Sequence, residues 1–146
     1  QVLSSEIAAG KITSVVSEAA ARTKHHHAHH YILASGGFLG GGSTAYEAGY
    51  AQETIFNLPV IAPANRSDWV NPKYSSPGGQ PIFQAGIVVD PQLAPVDPNK
   101  EPLIANLSVI GGALAGFDPL HERSLEGVAL TTGYWAANRL GERRHE

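Results

Sequence analysis

The sequence predicts an α/β fold with a mixed sheet, an N-terminal β-meander and a C-terminal helix. Three observations predict it. Two short apolar runs, Tyr31-Ile32-Leu33-Ala34 and Leu107-Ser108-Val109-Ile110, each stop near paired glycines, Gly36-Gly37 and Gly111-Gly112. Short buried strands that run into tight turns have this form. β-Branched Ile12, Val15 and Val16 cluster just after Gly10, which is the composition of a strand. Near the C-terminus, Ser124, Glu126, Arg139 and Gly141 stand where a helix carries its caps and end charges.

Taken in order, residues 11–19 read as a strand and 22–30 as a second one. Residues 31–34 form a short buried strand that enters a glycine turn. Residues 40–43 read as flexible, and 46–56 as a short helix or irregular turns. The stretch 59–81 is rich in Pro, Asn, Ser and Gly, and a loop of that length in a compact domain is usually functional or incomplete. Ile87-Val88-Val89 suggests a strand over 82–89, followed by a Pro-rich connector over 90–102. Residues 107–110 are a further buried strand. The helix is expected over 125–140, with Ser124 as N-cap and Gly141 as C-cap. On it, Val128, Tyr134, Trp135 and Leu140 recur near helical spacing as its core face, and Ala129, Ala136 and Ala137 allow close packing.

Composition narrows the function. Hydrophobic residues make up 42% and charged ones 16%, which suits one folded domain and not a disordered chain. A net charge of -3 gives no basic face for nucleic acid. The chain has no cysteine, so disulfides, thiolate catalysis and cysteine metal sites are excluded together. It starts at Gln1 and has no methionine, as expected of a portion of a longer protein. Residues 1–10 lack the basic start and long apolar run of a signal peptide. No run approaches the ~20 apolar residues of a membrane span, so any membrane association is expected to be peripheral or through a partner.

The paired glycines carry the chemistry. A residue without Cβ lets the backbone lie against a ligand and offer it N–H groups. A strand, a glycine turn and a helix N-terminus together suit an anionic or carbonyl-bearing ligand; a plain tight turn is the other reading of either pair alone. Arg66 and Trp69 in the long loop are the substrate candidates, because a guanidinium suits phosphate or carboxylate; a surface Arg beside a loop-anchoring Trp is the other reading. His25, His26, His27, His29 and His30 form a cluster that raises metal binding, but no carboxylate lies within it and no metal site is assigned. Asp118 and His121 follow the second glycine pair, where a turn role for Asp118 is favoured over proton transfer.

The tract Ala28-His29-His30-Tyr31-Ile32-Leu33-Ala34-Ser35-Gly36-Gly37-Phe38 resembles the A-T-G-G segment of flavoproteins of the fumarate reductase and succinate dehydrogenase type, with Ser35 where Thr is commoner. Asn106-Leu107-Ser108-Val109-Ile110-Gly111-Gly112 resembles their second flavin segment, with Gly112 where many relatives have an acidic residue. Gly127-Val128-Ala129-Leu130-Thr131-Thr132-Gly133-Tyr134 resembles the start of their last helix. Within that family the chain is similar to the B subunits of anaerobic glycerol-3-phosphate dehydrogenases. The residues that carry this are Gly37-Phe38, Gly40-Gly41-Gly42, Glu53-Thr54-Ile55-Phe56-Asn57-Leu58-Pro59-Val60, Arg66, Trp69 and above all Gly116-Phe117-Asp118-Pro119.

The resemblance implies the C-terminal part of an FAD/NAD(P)-binding-type fold. Residues 1–41 would supply the meander and a strand of the FAD-binding domain, 42–102 the remainder of a substrate-side domain, and 103–146 the last strand and helix. It implies flavin contacts at Ala34, Ser35, Gly36, Gly37, Gly111, Gly112, Gly127 and Val128. FAD, or FMN, is expected in the whole protein. This portion is expected to hold none tightly, because the G-x-G-x-x-G pyrophosphate loop is absent. The implied activity is oxidation of sn-glycerol 3-phosphate to dihydroxyacetone phosphate, with electrons passed to quinone. Other subunits of a dehydrogenase complex are the implied partners, in the cytoplasm or on the inner face of the cell membrane; the portion alone is expected to self-associate. The alternatives are another fumarate-reductase-like or ketosteroid-dehydrogenase-like flavoprotein, a non-catalytic assembly module of such a complex, or a histidine-rich metal-binding domain.

Overall fold

A computed structural model describes residues 1–142; the last four positions of the expected 103–146 segment lie outside the described residues. The α/β class holds. An antiparallel three-stranded meander comes first, in the order β1 (Val2–Ala8), β2 (Lys11–Ala19) and β3 (Arg22–His26). β1 was not expected from the sequence. Its burial is almost nil, so it has no apolar pattern to read, and its pairing with β2 defines it. On β2, Ile12, Ser14 and Val16 point inwards in strict alternation. The second strand stops at His26, short of the expected His30.

The chain then enters β4 (Tyr31–Leu33), which pairs in parallel with β8 (Leu107–Val109), with Leu33 opposite Val109. A second antiparallel sheet holds β5 (Ser43–Ala45), β6 (Ala51–Glu53) and β7 (Pro59–Val60). Of the two readings of residues 46–56 the helix fails and the turns hold in part: the chain folds back at Gly49 and continues as β6, which pairs Ser43 with Glu53. The flexibility expected of the preceding glycines fails. Residues 40–43 are a tight packed turn: the Gly42 N–H donates to the Gly37 carbonyl at 3.0 Å, and Ser43 is buried.

The loop after β7 is folded on itself. Trp69 is buried and donates its indole N–H to the Pro63 carbonyl at 2.8 Å. Buried Gln80 donates its amide to the Lys73 and Tyr74 carbonyls. The strand expected over 82–89 is replaced by a 3₁₀ turn at Pro81–Gln84 and isolated bridges, Ile61 to Gly86 and Ile87 to Leu114. Pro81 starts the turn, and Ile87 is fully buried without a continuous partner strand.

The core draws on every part of the chain: Ile12, Leu33, Leu58, Val60, Ile87, Leu107 and Val109 belong to one buried cluster. Asn106 fastens the meander to β8. Its side-chain oxygen accepts the Ile12 N–H at 2.8 Å and its amide donates to the Ile12 carbonyl at 2.9 Å, which imitates a strand pair.

Helix α1 (Leu125–Glu142) closes the described chain. It runs through Gly141, so that glycine is not the C-cap. Tyr134 and Trp135 are 71% and 51% exposed, not core residues; Ala136, 2% exposed, and half-buried Val128 face inwards instead. Among the described residues, no helix is long and apolar enough to cross a membrane.

Candidate functional site: a glycine-walled cleft

The parallel pairing of β4 with β8 sets both glycine turns side by side. Gly37 shows why the position is glycine: a Cβ there would sit 2.5 Å from the Gly112 carbonyl oxygen, closer than any real contact. The two strand ends therefore meet backbone to backbone. Gly36 has φ 74° and Gly111 φ 63°, the left-handed region that glycine enters without penalty. The Gly111 N–H donates to Thr132 Oγ1 on α1 at 3.0 Å, and that hydroxyl donates to the Val128 carbonyl at 2.7 Å. This relay fixes α1 over the second glycine turn.

A cleft of about 280 Å³ opens above these turns. Gly36, Gly37, Phe38, Gly112, Pro119 and Leu125 are among its walls, with Ile82 and Phe83 from the 3₁₀ turn. Leu125 brings the N-terminus of α1 to the cleft. The first N–H groups of any helix lack partners within it. Ser124 does not cap them with its side chain: its hydroxyl points to Glu122 Oε2 at 3.4 Å, and only its carbonyl joins the helix, accepting the Val128 N–H.

Of the eight residues expected at the cofactor, three line the cleft: Gly36, Gly37 and Gly112. Gly111 lies beneath it against Ala129. Ala34 and Ser35 border a separate hollow with Val15, Ile32 and Phe56. Gly127 is exposed, and Val128 packs on the core. Leu125, Ile82, Phe83 and Pro119 were missed. The first belongs to the helix start one residue after the cap, and the next two were assigned to a strand.

Neither Arg66 nor Trp69 lines this cleft. The Arg66 guanidinium lies over the Trp69 ring at 5.7 Å, and Trp69 meets Phe38 with ring centroids 6.2 Å apart. Trp69 anchors its loop behind a cleft residue. Asp118 builds a turn, as favoured: its buried carboxylate accepts N–H groups from Gln80, Leu120 and His121 at 3.1, 3.0 and 2.9 Å. This ties the loop before the 3₁₀ turn to the loop before α1, so Gly116-Phe117-Asp118-Pro119 shapes the cleft wall.

The histidines do not form one face. His26 Nε2 and Ser17 Oγ are 2.7 Å apart on the meander, His27 Nδ1 lies 3.0 Å from the Thr13 carbonyl oxygen, and His30 Nε2 meets Ser108 Oγ at 2.9 Å between β4 and β8. Among the described residues no group of three metal-ligating side chains converges.

Glu53 is 1% exposed and is the last residue of β6, opposite Ser43. Burial pushes its carboxyl above the ordinary value, against the N–H groups of Phe56 and Ile55 that hold it at 2.7 and 2.8 Å.

The profile of the FAD binding domain family matches residues 2–128. The chain belongs to this family. Its curated relatives include the B subunit of the anaerobic glycerol-3-phosphate dehydrogenase of Yersinia enterocolitica serotype O:8 / biotype 1B, 33% identical over 91 residues, which cover 62% of this chain and 20% of that protein. Another is the corresponding B subunit of Vibrio cholerae serotype O1, 33% identical over 89 residues, covering 61% of this chain and 20% of that protein. The chain spans about a fifth of the length of the curated relatives it matches. No solved structure matches.

The cleft fits one end of FAD. Apolar Phe38, Ile82 and Leu125 suit the faces of a flat ring, and glycine backbone with a helix N-terminus suits its polar edge. At about 280 Å³ it lies at the small end of ligand pockets, which run from about 300 to 1,000 Å³. Among the described residues no Lys or Arg borders it, so the walls suit the ring and not the pyrophosphate.

Proposed function

We propose that this chain forms the isoalloxazine side of the flavin site in a dehydrogenase that oxidises sn-glycerol 3-phosphate to dihydroxyacetone phosphate and sends the electrons towards quinone. The observation that carries the reading is the convergence of Gly36, Gly37, Gly112 and Leu125 on one apolar cleft. The names of the relatives support the substrate, and their naming as one subunit of a dehydrogenase supports assembly with other subunits. In this reading residues 1–41 and 103–146 serve the flavin and 42–102 the substrate side. The protein works in the cytoplasm, against the inner face of the membrane where its acceptor lies.

Oxidation of the secondary alcohol removes the hydrogen on its carbon as a hydride equivalent and the hydroxyl hydrogen as a proton. The bound flavin supplies the two-electron acceptor for that step. The protein's own part is positional. The paired glycines let the backbone reach the ring edge, and the α1 N-terminus favours negative charge that develops there. Phe38 and Phe83, in the cleft walls, would help keep water from a ring held there.

The test uses the whole protein that carries this chain. Its visible spectrum is recorded without oxygen before and after glycerol 3-phosphate is added. Bleaching of a flavin band supports cofactor and substrate together. A flavin that stays oxidised overturns the substrate, and a colourless protein overturns the flavin site.

A further inference from the structure

A second cleft, of about 330 Å³, opens beside the first between the 74–80 loop and the turn before α1. Phe83 borders both clefts. Pro119 faces the first, and its neighbours Asp118 and Leu120 face the second. The two spaces share Phe83 and flank the turn at Asp118–Leu120, yet they differ in character: Ser75, Gln80, Asp118, His121 and Arg123 are among the walls of the second.

Most of that polar lining is already committed. The Asp118 carboxylate accepts three backbone N–H groups, which compensate its charge. The Gln80 amide donates to Lys73 and Tyr74, and its oxygen accepts the Asn71 N–H. The Ser76 hydroxyl donates to the Lys73 carbonyl. What remains is cationic or able to donate: the exposed Arg123 guanidinium and the His121 imidazole, for whose side chains the described residues provide no hydrogen bond or ion pair, with Ser75 of the 74–80 loop lining the same cleft. Arg123 also has φ 54°, a backbone conformation that glycine adopts far more readily. Local stability alone does not select arginine at this position.

We propose that Arg123 and His121 receive the oxyanionic head of the substrate, a phosphate monoester, in this second cleft, while its hydroxyl-bearing carbon passes Phe83 into the glycine-walled cleft. The assignment rests on the flavin reading of the first cleft. A guanidinium presents paired N–H groups that match two oxygens of a phosphate. The three N–H groups on Asp118 weaken its repulsion of an anion in the same cleft. The separation of an apolar ring cleft from a cationic head cleft also discriminates, because an uncharged triol gains no ion pair from Arg123.

Arg123→Gly tests this in the whole flavin-loaded protein, because it removes the charge and relieves the backbone at once. Three quantities are read: the KM for glycerol 3-phosphate, the binding of inorganic phosphate by calorimetry, and the melting temperature. A charge-assisted pair lost from the head site predicts phosphate and substrate binding weaker by about tenfold to a hundredfold, with the flavin spectrum kept and the melting temperature unchanged or raised. Arg123→Lys recovers part of the affinity, since it restores charge without the paired donors. Unchanged phosphate binding in Arg123→Gly, or no phosphate binding to the unsubstituted protein, overturns the assignment. If the flavin is still bound and still bleached by glycerol 3-phosphate in either case, the flavin reading stands without it.

Discussion

Gly37 and Gly112 face each other across the same turn pair, yet a methyl group at each meets different surroundings. At Gly37 it would strike the Gly112 carbonyl oxygen at 2.5 Å; at Gly112 it would rest at 3.6–3.7 Å from Gly36, Gly37 and Leu125. Gly37→Ala is therefore expected to force the strand ends apart and cost about 1–3 kcal/mol in denaturant unfolding. Gly112→Ala leaves stability within about 0.5 kcal/mol but adds a methyl to the cleft wall, so flavin affinity falls while the fold holds. Equal loss of stability in both would show that the second glycine serves packing alone. Glu53 carries a pH signature. Its folded pKa is raised by burial, so the native state holds its proton more tightly than the unfolded state. Its contribution is most favourable below the ordinary carboxylate value and is lost as pH rises through the raised one. Glu53→Gln puts an amide nitrogen against a backbone N–H, at a cost of about 1–3 kcal/mol. Urea titrations on the acid side of neutrality should show the gap between variant and parent narrowing as pH rises; a widening gap would mean that the N–H donors outweigh burial.

The meander shows what an element asks of its turns. Two-residue hairpin connections follow the right-handed twist of strands when both residues have positive φ, which favours Asn-Gly. The first turn uses Ala9 and Gly10, at 48° and 71°; the second uses Ala20 and Ala21, at 51° and 58°. Left-handed alanine costs about 1–2 kcal/mol per residue. Replacing Ala20-Ala21 by Asn-Gly should raise the unfolding free energy by about 1–2 kcal/mol, with the spectrum of the bound flavin unaffected, since neither residue borders the cleft. No gain in stability would mean that the β2–β3 pairing bends the turn away from this geometry in solution. The 3₁₀ turn at Pro81–Gln84 teaches the converse. Its Ile82 and Phe83 look like strand residues, but Pro81 fixes the local backbone and the residues that follow find only single bridges. Propensity yielded there to the packing that forms the cleft.

For the whole molecule, the distribution of apolar surface matters most. Leu130 and Tyr134, one turn apart on α1, are 74% and 71% exposed and Trp135 is 51% exposed, while Ala136 is buried. A helix apolar on both sides is one that packs on both sides. The 146-residue chain by itself is expected to self-associate with rising concentration and to bind flavin only weakly, because the cleft reaches the ring alone. Sedimentation velocity and fluorescence titration with FAD check the two halves. A monomer that binds FAD stoichiometrically would show that the pyrophosphate needs no further segment. The sequence by itself determined the family, the β2 and β4 strands, the β8 strand and the extent of α1, since each depends on local pattern: β-branched alternation, apolar runs closed by glycine, and helical spacing. It also pointed to Asp118 as a turn builder. It did not determine which glycines face a ligand. Gly36, Gly37 and Gly112 line the cleft while Gly111, in an equally glycine-rich turn, is covered by α1, and that choice depends on the parallel register of β4 with β8 and on the Thr132 contact. Tyr134 and Trp135 likewise had the spacing of a core face, but spacing fixes only which residues share a side of a helix. The rotation of α1 about its axis, which buries Ala136, half-buries Val128 and leaves Tyr134 exposed, was decided by tertiary packing.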